Sequence, residues 1–250
     1  GGTIKDSIKT ILINEYESYE IIVCDNNSTD NTEEIIKNFH NKKIKYFKSN
    51  KDLSMSENWE RCVDYIKGEY LFYLGGDDGL IKDCFLQADY LFKKYNCDII
   101  SWDKQEFSWP SSKYKSNVIK IKKNNYLINM NPKRNLVKVL SGNLSYAYLP
   151  SVYNSFVKSS VIKELRLNNL IFFKGIHPDI YSSLIISSVQ TKQLYCTSGL
   201  SICAASDRSN GLNNSQGDYL KESEEFFTKG KVSDKFPSIV ALPTSYELDS

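Results

Sequence analysis

The sequence predicts an α/β fold, with a mostly parallel sheet flanked by helices. Three observations carry this expectation. Short β-branched runs alternate with helix-period stretches through the first hundred residues. Dense clusters of Asp, Asn, Ser and Gly close two of those runs. The length, 250 residues, suits one large α/β domain or a core domain with a smaller appendage.

The elements follow in order. Ile4, Ile8, Ile11 and Leu12 recur at helical spacing within residues 3–14. Residues 20–24 are a β-branched run that reads as a buried strand. It runs into Asp25-Asn26-Asn27-Ser28-Thr29-Asp30, a turn in which Asp30 and Glu33 have capping-box spacing for the next helix, with Ile35, Ile36 and Phe39 as its apolar face. Residues 43–47 read as a second strand. Ser54 and Glu57 form another capping box, ahead of Trp59, Cys62, Val63 and Ile66. Residues 69–74 make a third strand closed by Gly75-Gly76-Asp77-Asp78-Gly79; a helix follows over 80–95 and a strand over 97–102.

The second half is less regular. Strands are expected at 117–122 and 193–204, and helices at 134–140, 178–188 and 218–227. A strand running into a helix is expected over 151–165. Residues 205–217, rich in Ser, Asn, Asp and Gly, read as a mobile loop. The natural division falls near residue 103, between a regular half (1–103) and a looser one (104–250).

The totals narrow the function. Thirty-two basic and thirty acidic residues give a net charge of +2, so no broad basic field marks nucleic acid as a partner. No apolar stretch reaches the length of a membrane span, and no signal peptide is visible; the abrupt Gly1-Gly2 start reads as a fragment of a longer chain. The six cysteines show no CxxC spacing, which argues against structural zinc or a disulfide framework and for buried reduced thiols. The seventeen tyrosines suit sugar contacts, but half-buried packing accounts for them more simply.

Both acidic turns lie where ligands bind in parallel sheets, outside the carboxyl ends of strands. Asp77 and Asp78 offer two carboxylates flanked by glycines. Such oxygens suit a hard cation such as Mn²⁺ or Mg²⁺ that also meets substrate phosphates. On spacing alone, a solvated Asp-Gly turn explains the same residues. The Asp25–Ser28 turn equally offers groups for a base or ribose, or plain turn and cap chemistry. Asp179 follows Pro178 at a helix start, where an acid serves either as a proton acceptor or as a first-turn dipole partner.

Taken together, the two turns resemble a known pattern. Residues 22–32, Ile-Val-Cys-Asp-Asn-Asn-Ser-Thr-Asp-Asn-Thr, resemble the VVDDGSxDxT signature of family 2 glycosyltransferases. Residues 67–80, Lys-Gly-Glu-Tyr-Leu-Phe-Tyr-Leu-Gly-Gly-Asp-Asp-Gly-Leu, resemble that family's GEYIxFLDxDD strand and DXD motif, with Ser56-Glu57-Asn58-Trp59 matching between them. The resemblance implies a GT-A-type fold, with a nucleotide-binding half and a smaller acceptor-binding half. It implies an enzyme moving a sugar from a nucleotide-sugar donor, UDP-sugar by default, to a glycan or lipid-linked glycan acceptor. The expected setting is bacterial capsule or lipopolysaccharide synthesis, with inversion and a divalent metal (Mn²⁺ or Mg²⁺). It assigns Asp25, Asn26, Gly76 and Asp77 to the donor, Asp77 and Asp78 to the metal, and Asp179 to the acceptor proton. Arg208, in the 205–217 loop, is suited to grip the diphosphate. The setting would be cytoplasmic, which leaves peripheral contact with the inner membrane face open.

Two departures stand out. Gly75 replaces the first DXD aspartate, and the family's opening strand, with its Pro-x-Tyr-Asn segment, is missing ahead of residue 3. Both leave open a non-catalytic nucleotide-sugar or glycan-binding protein on the same fold. A nucleotidyltransferase lacks support, since no glycine- and basic-rich phosphate loop is visible. Gly75-Gly76-Asp77-Asp78 also differs from the cyclic-dinucleotide synthase signature, because Asp78-Gly79 follows where Glu-Phe is required.

Overall fold

The structure, a computed structural model, describes residues 2–110, 126–175, 177–189 and 191–206. Helix α1 (Ile4–Leu12) leads to strand β1 (Ile21–Asp25), helix α2 (Thr32–Lys37), strand β2 (Ile44–Lys48) and helix α3 (Met55–Val63). Strands β3 (Tyr70–Leu71) and β4 (Gly79–Leu80) flank the second acidic turn, and helix α4 (Cys84–Tyr95) and strand β5 (Ile99–Trp102) follow. Beyond these come strands β6 (Gln105–Ser108) and β7 (Leu127–Met130), helix α5 (Pro132–Leu140), a single 3-10 turn (Tyr146–Tyr148) and strand β8 (Ser155–Lys158). Helices α6 (Ser159–Leu167) and α7 (Pro178–Ser188) and strands β9 (Gln193–Cys196) and β10 (Ser201–Ala205) complete the described chain.

The central sheet has the order β3-β8-β5-β9-β7. Both β3 and β5 pair antiparallel with β8, so they run parallel to each other, and β9 runs parallel to β5. Of the strands expected in one parallel sheet, β3 and β5 thus run parallel here, with β8, from the second half, inserted between them. Strands β1 and β2 pair in parallel as a separate two-stranded sheet. Strand β10 pairs with β4 and β6 in a third sheet.

Alternation along the strands splits the core into two layers. Ile99 and Val157 face one layer with Leu71, Val161, Leu165, Phe172, Phe173 and Ile186. Their neighbours Ile100 and Phe156 face the other, with Cys84, Ala88, Phe92, Trp102 and Leu194. Helices thus cover both faces, α6 and α7 on one and α4 on the other. Each fully buried Ile, Leu or Phe contributes about 1.5–3 kcal/mol, which makes this sandwich the rigid base for the turns at its edge.

Several local expectations change. The capping box at Ser54 and Glu57 forms in both directions. The one at Asp30 and Glu33 does not: Asp30 accepts from the Thr32 N–H and hydroxyl, while Glu33 pairs with Lys37 and Lys48. The run 69–74 is a ladder only at Tyr70–Leu71. The segment 193–204 breaks into two strands that belong to different sheets. The strand expected at 117–122 and the helix expected at 218–227 lie outside the described residues, as does the 205–217 loop beyond Ser206. The expectation of free thiols is corrected at one pair. The Cys24 and Cys62 sulfurs meet in a disulfide pairing between β1 and α3, with Cα atoms 6.1 Å apart, while Cys84, Cys97, Cys196 and Cys203 are free. Their 38-residue separation concealed the pairing, which packing of α3 against β1 creates.

Candidate active site

The first acidic turn is held by its own side chains. Asp25 is only 5% exposed. One carboxylate oxygen accepts from the Ser28 N–H at 2.8 Å and the other from the Tyr46 hydroxyl. Burial raises the cost of its charge, but the bonds from Ser28 and Tyr46 outweigh it and hold the carboxyl below its usual range. Asn26 is a strut: its amide donates to Leu53 O at 2.8 Å and accepts from Leu53 N at 2.9 Å. Asn27, where the family pattern has Gly, adopts φ +59°, a left-handed conformation that Asn tolerates better than most residues. Helix α3 clamps the turn from behind, through Asn58 to Cys24 O and Arg61 to the carbonyls of Asp25 and Phe47.

Replacing Tyr46 with Phe removes one partner of that buried carboxylate. The expected loss is about 1–3 kcal/mol of stability at neutral pH. A depressed carboxyl stabilises the fold above its unfolded pKa of about 3.9 and loses that contribution as pH falls through the folded value. Thermal melts of the two proteins therefore differ most at neutral pH and converge in acid.

The second turn is tied down from three sides. Asp78 accepts from Gly75 N at 3.1 Å and from Ala204 N at 2.8 Å. Burial, opposed by those amides and reinforced by the charge of Asp77, raises its carboxyl to about 6. Asp77 presents its carboxylate to Ser206, whose hydroxyl donates at 2.8 Å, and its carbonyl to the Trp109 indole at 2.9 Å. Helix α1 supports the turn through Ser7 to Gly75 O and Thr10 to Leu80 N.

Gly75 now has a physical explanation. A Cβ there would sit 2.6 Å from Asp78 Oδ2, on a carboxylate fixed by two backbone amides. The departure from the family motif thus accompanies an inward-turned Asp78. Gly75→Ala should cost about 1–3 kcal/mol through overpacking, read as a lowered Tm. Gly76 carries no such demand, since a Cβ would meet only Ile4 Cδ1 at 3.6 Å.

Asp179 lies in the first turn of α7, half-buried, with its carbonyl accepting from Ser182 and Ser183. Tyr153 connects it to the second turn. Burial first, and then the negative charges of Asp179 and Asp78, push the Tyr153 hydroxyl well above its ordinary range. The main chain beside Tyr153 is fixed by Asn154, which bonds Trp102 O at 2.6 Å, and Ser201 bonds the Tyr153 carbonyl at 3.4 Å. Trp59, on α3, packs edge-on to Tyr153 with ring centres 5.4 Å apart and lies 4.5 Å from Tyr73. The same helix thus grips the Asp25 turn and the wall that carries Tyr153.

Asp77 and Asp78 share the second turn and Asp25 and Asn26 the first; α3, which clamps the first turn, also packs against α7, where Asp179 lies. Arg208 lies outside the described residues. Ala204, Trp109, Tyr46 and Tyr153 escaped sequence reasoning: each is a lone side chain or amide whose partner lies far along the chain; Ser206 falls in the expected loop, but its bond to Asp77 was not foreseen. A separate hollow lined by Asn14, Glu15, Tyr16, Glu17 and Lys43 contains none of Asp25, Asp77, Asp78 and Asp179. Among the described residues, no three His, Cys, Asp or Glu side chains form a ready-made metal cage. The donors at the second turn are all oxygen, the Asp77 carboxylate and the Ser206 hydroxyl. That set fits a hard cation which takes its remaining ligands from substrate phosphates.

The profile of the family described as "Glycosyl transferase family 2" matches residues 1–147, which span both acidic turns. The chain belongs to glycosyl transferase family 2. Within curated relatives of this family, the putative glycosyltransferase EpsE of Bacillus subtilis is 37% identical over 81 residues, covering 30% of this chain and 28% of that protein. The abequosyltransferase RfbV of Salmonella typhimurium is 34% identical over 115 residues, covering 39% and 34%. The matched segments make up about a third or less of those relatives' length. Residues 1–349 of S. aureus TarS, solved in complex with UDP-GlcNAc, superpose with a TM-score of 0.63 at 12% identity. They cover 99% of this chain and 68% of that one. The same protein with UDP gives 0.60 at 13% identity, covering 99% and 67%. These likenesses establish a GT-A-type fold for this family 2 chain.

Proposed function

We propose that the chain transfers a sugar from a nucleotide diphosphate, UDP by default, to a hydroxyl of a glycan or lipid-linked glycan in bacterial surface polysaccharide synthesis. One observation carries the reading: α3 holds the Asp25 turn through Asn58 and Arg61, sets Trp59 against Tyr153, and packs on α7, the helix that opens with Asp179. That packing supports a donor and a base on one face, as a single in-line displacement requires.

The Asp25 turn supports the nucleotide, with Asn26 shaping it, and Asp77 faces the diphosphate. A divalent metal held by Asp77 would supply charge neutralisation at the departing diphosphate. Asp179 takes the acceptor hydroxyl proton as that oxygen bonds to the anomeric carbon. The bond from that carbon to the diphosphate oxygen breaks, and the nucleoside diphosphate leaves with the electron pair. Attack from the face opposite the leaving group inverts the anomeric centre. Trp59 and Tyr153 wall the region against water, which would otherwise hydrolyse the donor. Arg208 and the chain after Ser206 are assigned to the donor on the same reading.

The test supplies a panel of nucleotide-sugars with Mn²⁺ or Mg²⁺ and glycan acceptors, and analyses both products. Release of a nucleoside diphosphate with a glycosylated acceptor supports the reading. Donor binding without turnover under all conditions would favour the binding protein, and pyrophosphate release would overturn sugar transfer.

A further inference from the structure

The near-neutral total hides a segregated charge. Between Glu106 and Glu164 the sequence contains ten Lys or Arg and not one Asp or Glu, in a chain whose net charge is only +2. Five of these cations lie outside the described residues; of the rest, Lys133, Arg134 and Lys138 lie on helix α5, next in the chain to the edge strand β7. The surface from Tyr126 to Tyr148 is unusually apolar. Tyr126 and Val137 are each 64% exposed, Leu140 is 58% exposed and Tyr148 50%. Leu127 and Ile128 on β7 are also exposed.

Helix α5 shows how this arises. Pro132, Asn135, Leu136 and Val139 form its more buried face, at the spacing of one helical stripe. Lys133, Arg134, Val137, Lys138 and Leu140 occupy the exposed positions. Cations beside exposed aliphatic side chains are what a helix lying on an anionic bilayer presents: the apolar groups enter the acyl boundary and the cations meet headgroup phosphates. Nucleic acid would use the cations but gain nothing from Val137 and Leu140.

We propose that the β7–α5 surface docks on an anionic phospholipid membrane, with Val137 and Leu140 inserted and Lys133, Arg134 and Lys138 at the headgroups. Helix α5 packs on α7, whose first turn carries Asp179. Docking would therefore set that helix close to the lipid surface, where a lipid-linked acceptor is presented. The docking itself stands without the sugar-transfer reading, and its test needs neither donor nor acceptor.

The test is co-sedimentation with vesicles of phosphatidylcholine alone and of phosphatidylcholine containing phosphatidylglycerol. The chain should bind the phosphatidylglycerol vesicles and not the neutral ones, and binding should weaken as salt rises. Val137→Glu with Leu140→Glu should weaken it on the order of tenfold, and Lys133→Gln with Arg134→Gln and Lys138→Gln by a similar factor. Thermal melts check that the variants fold; should the glutamate variant unfold, the glutamine variant decides alone. Failure of the parent chain to bind, equal binding to neutral vesicles, or unchanged binding by the folded variants overturns the proposal. So does a dimer in solution that the same substitutions break while vesicle binding is absent. Loss of sugar transfer with vesicle binding intact would leave the docking standing and sink the catalytic reading instead.

Discussion

Asp179→Asn should lower kcat by about 10²–10⁴-fold, the usual contribution of a positioned general base. The substitution keeps the size and the first-turn position and removes only the ability to accept a proton. Its backbone carbonyl still receives Ser182 and Ser183, so α7 keeps its start. Donor affinity should change little, because the donor is assigned to the two acidic turns. The measurement is a full steady-state analysis with donor and acceptor varied separately, alongside a donor-binding titration. A kcat loss with donor affinity preserved supports the base assignment. Full activity in Asp179→Asn would remove the base, and with it the reason for placing the acceptor beside α7.

The sequence made some of this legible and concealed the rest for identifiable reasons. Local chemistry was readable. The Ser54–Glu57 box, the Pro178 helix start and the β-branched run of β1 are all decided within a few residues, and they appear as expected. Readings that depended on one side chain having a single use were less secure. Asp30 had capping-box spacing, yet Thr32 takes its carboxylate first. Long-range pairing was not readable at all. Nothing in residues 155–158 says that they will separate β3 from β5, and nothing in Ala204 says that its N–H will fix Asp78. Gly75 illustrates the cost. From the sequence it looked like a missing aspartate, whereas the structure shows a position where any Cβ collides with the carboxylate three residues on.

Asp77 and Asp78 are neighbours in the same motif, and the structure separates their roles sharply enough to predict opposite outcomes. Asp78 accepts two backbone amides and is buried, so Asp78→Ala leaves the N–H groups of Gly75 and Ala204 without their acceptor. Each buried amide left this way costs about 1–3 kcal/mol, so the variant should melt well below the parent. Asp77→Ala leaves that bracket in place, since the Gly75 and Ala204 amides donate to Asp78 and not to Asp77, and should melt nearer to the parent than Asp78→Ala does. Its deficit belongs in the chemistry. If Asp77 faces the diphosphate, kcat/KM should fall on the order of 10²–10³-fold, the scale seen when one preorganised stabiliser of developing charge is removed. Added Mn²⁺ should not restore it, since the carboxylate itself is gone. Differential scanning calorimetry and initial rates on the same preparations provide both readouts. A folded, fully active Asp77→Ala would break the link between this turn and the diphosphate. An Asp78→Ala that melts with the parent would mean that its two amide bonds do not hold the turn, and the account of Gly75 would fall with it.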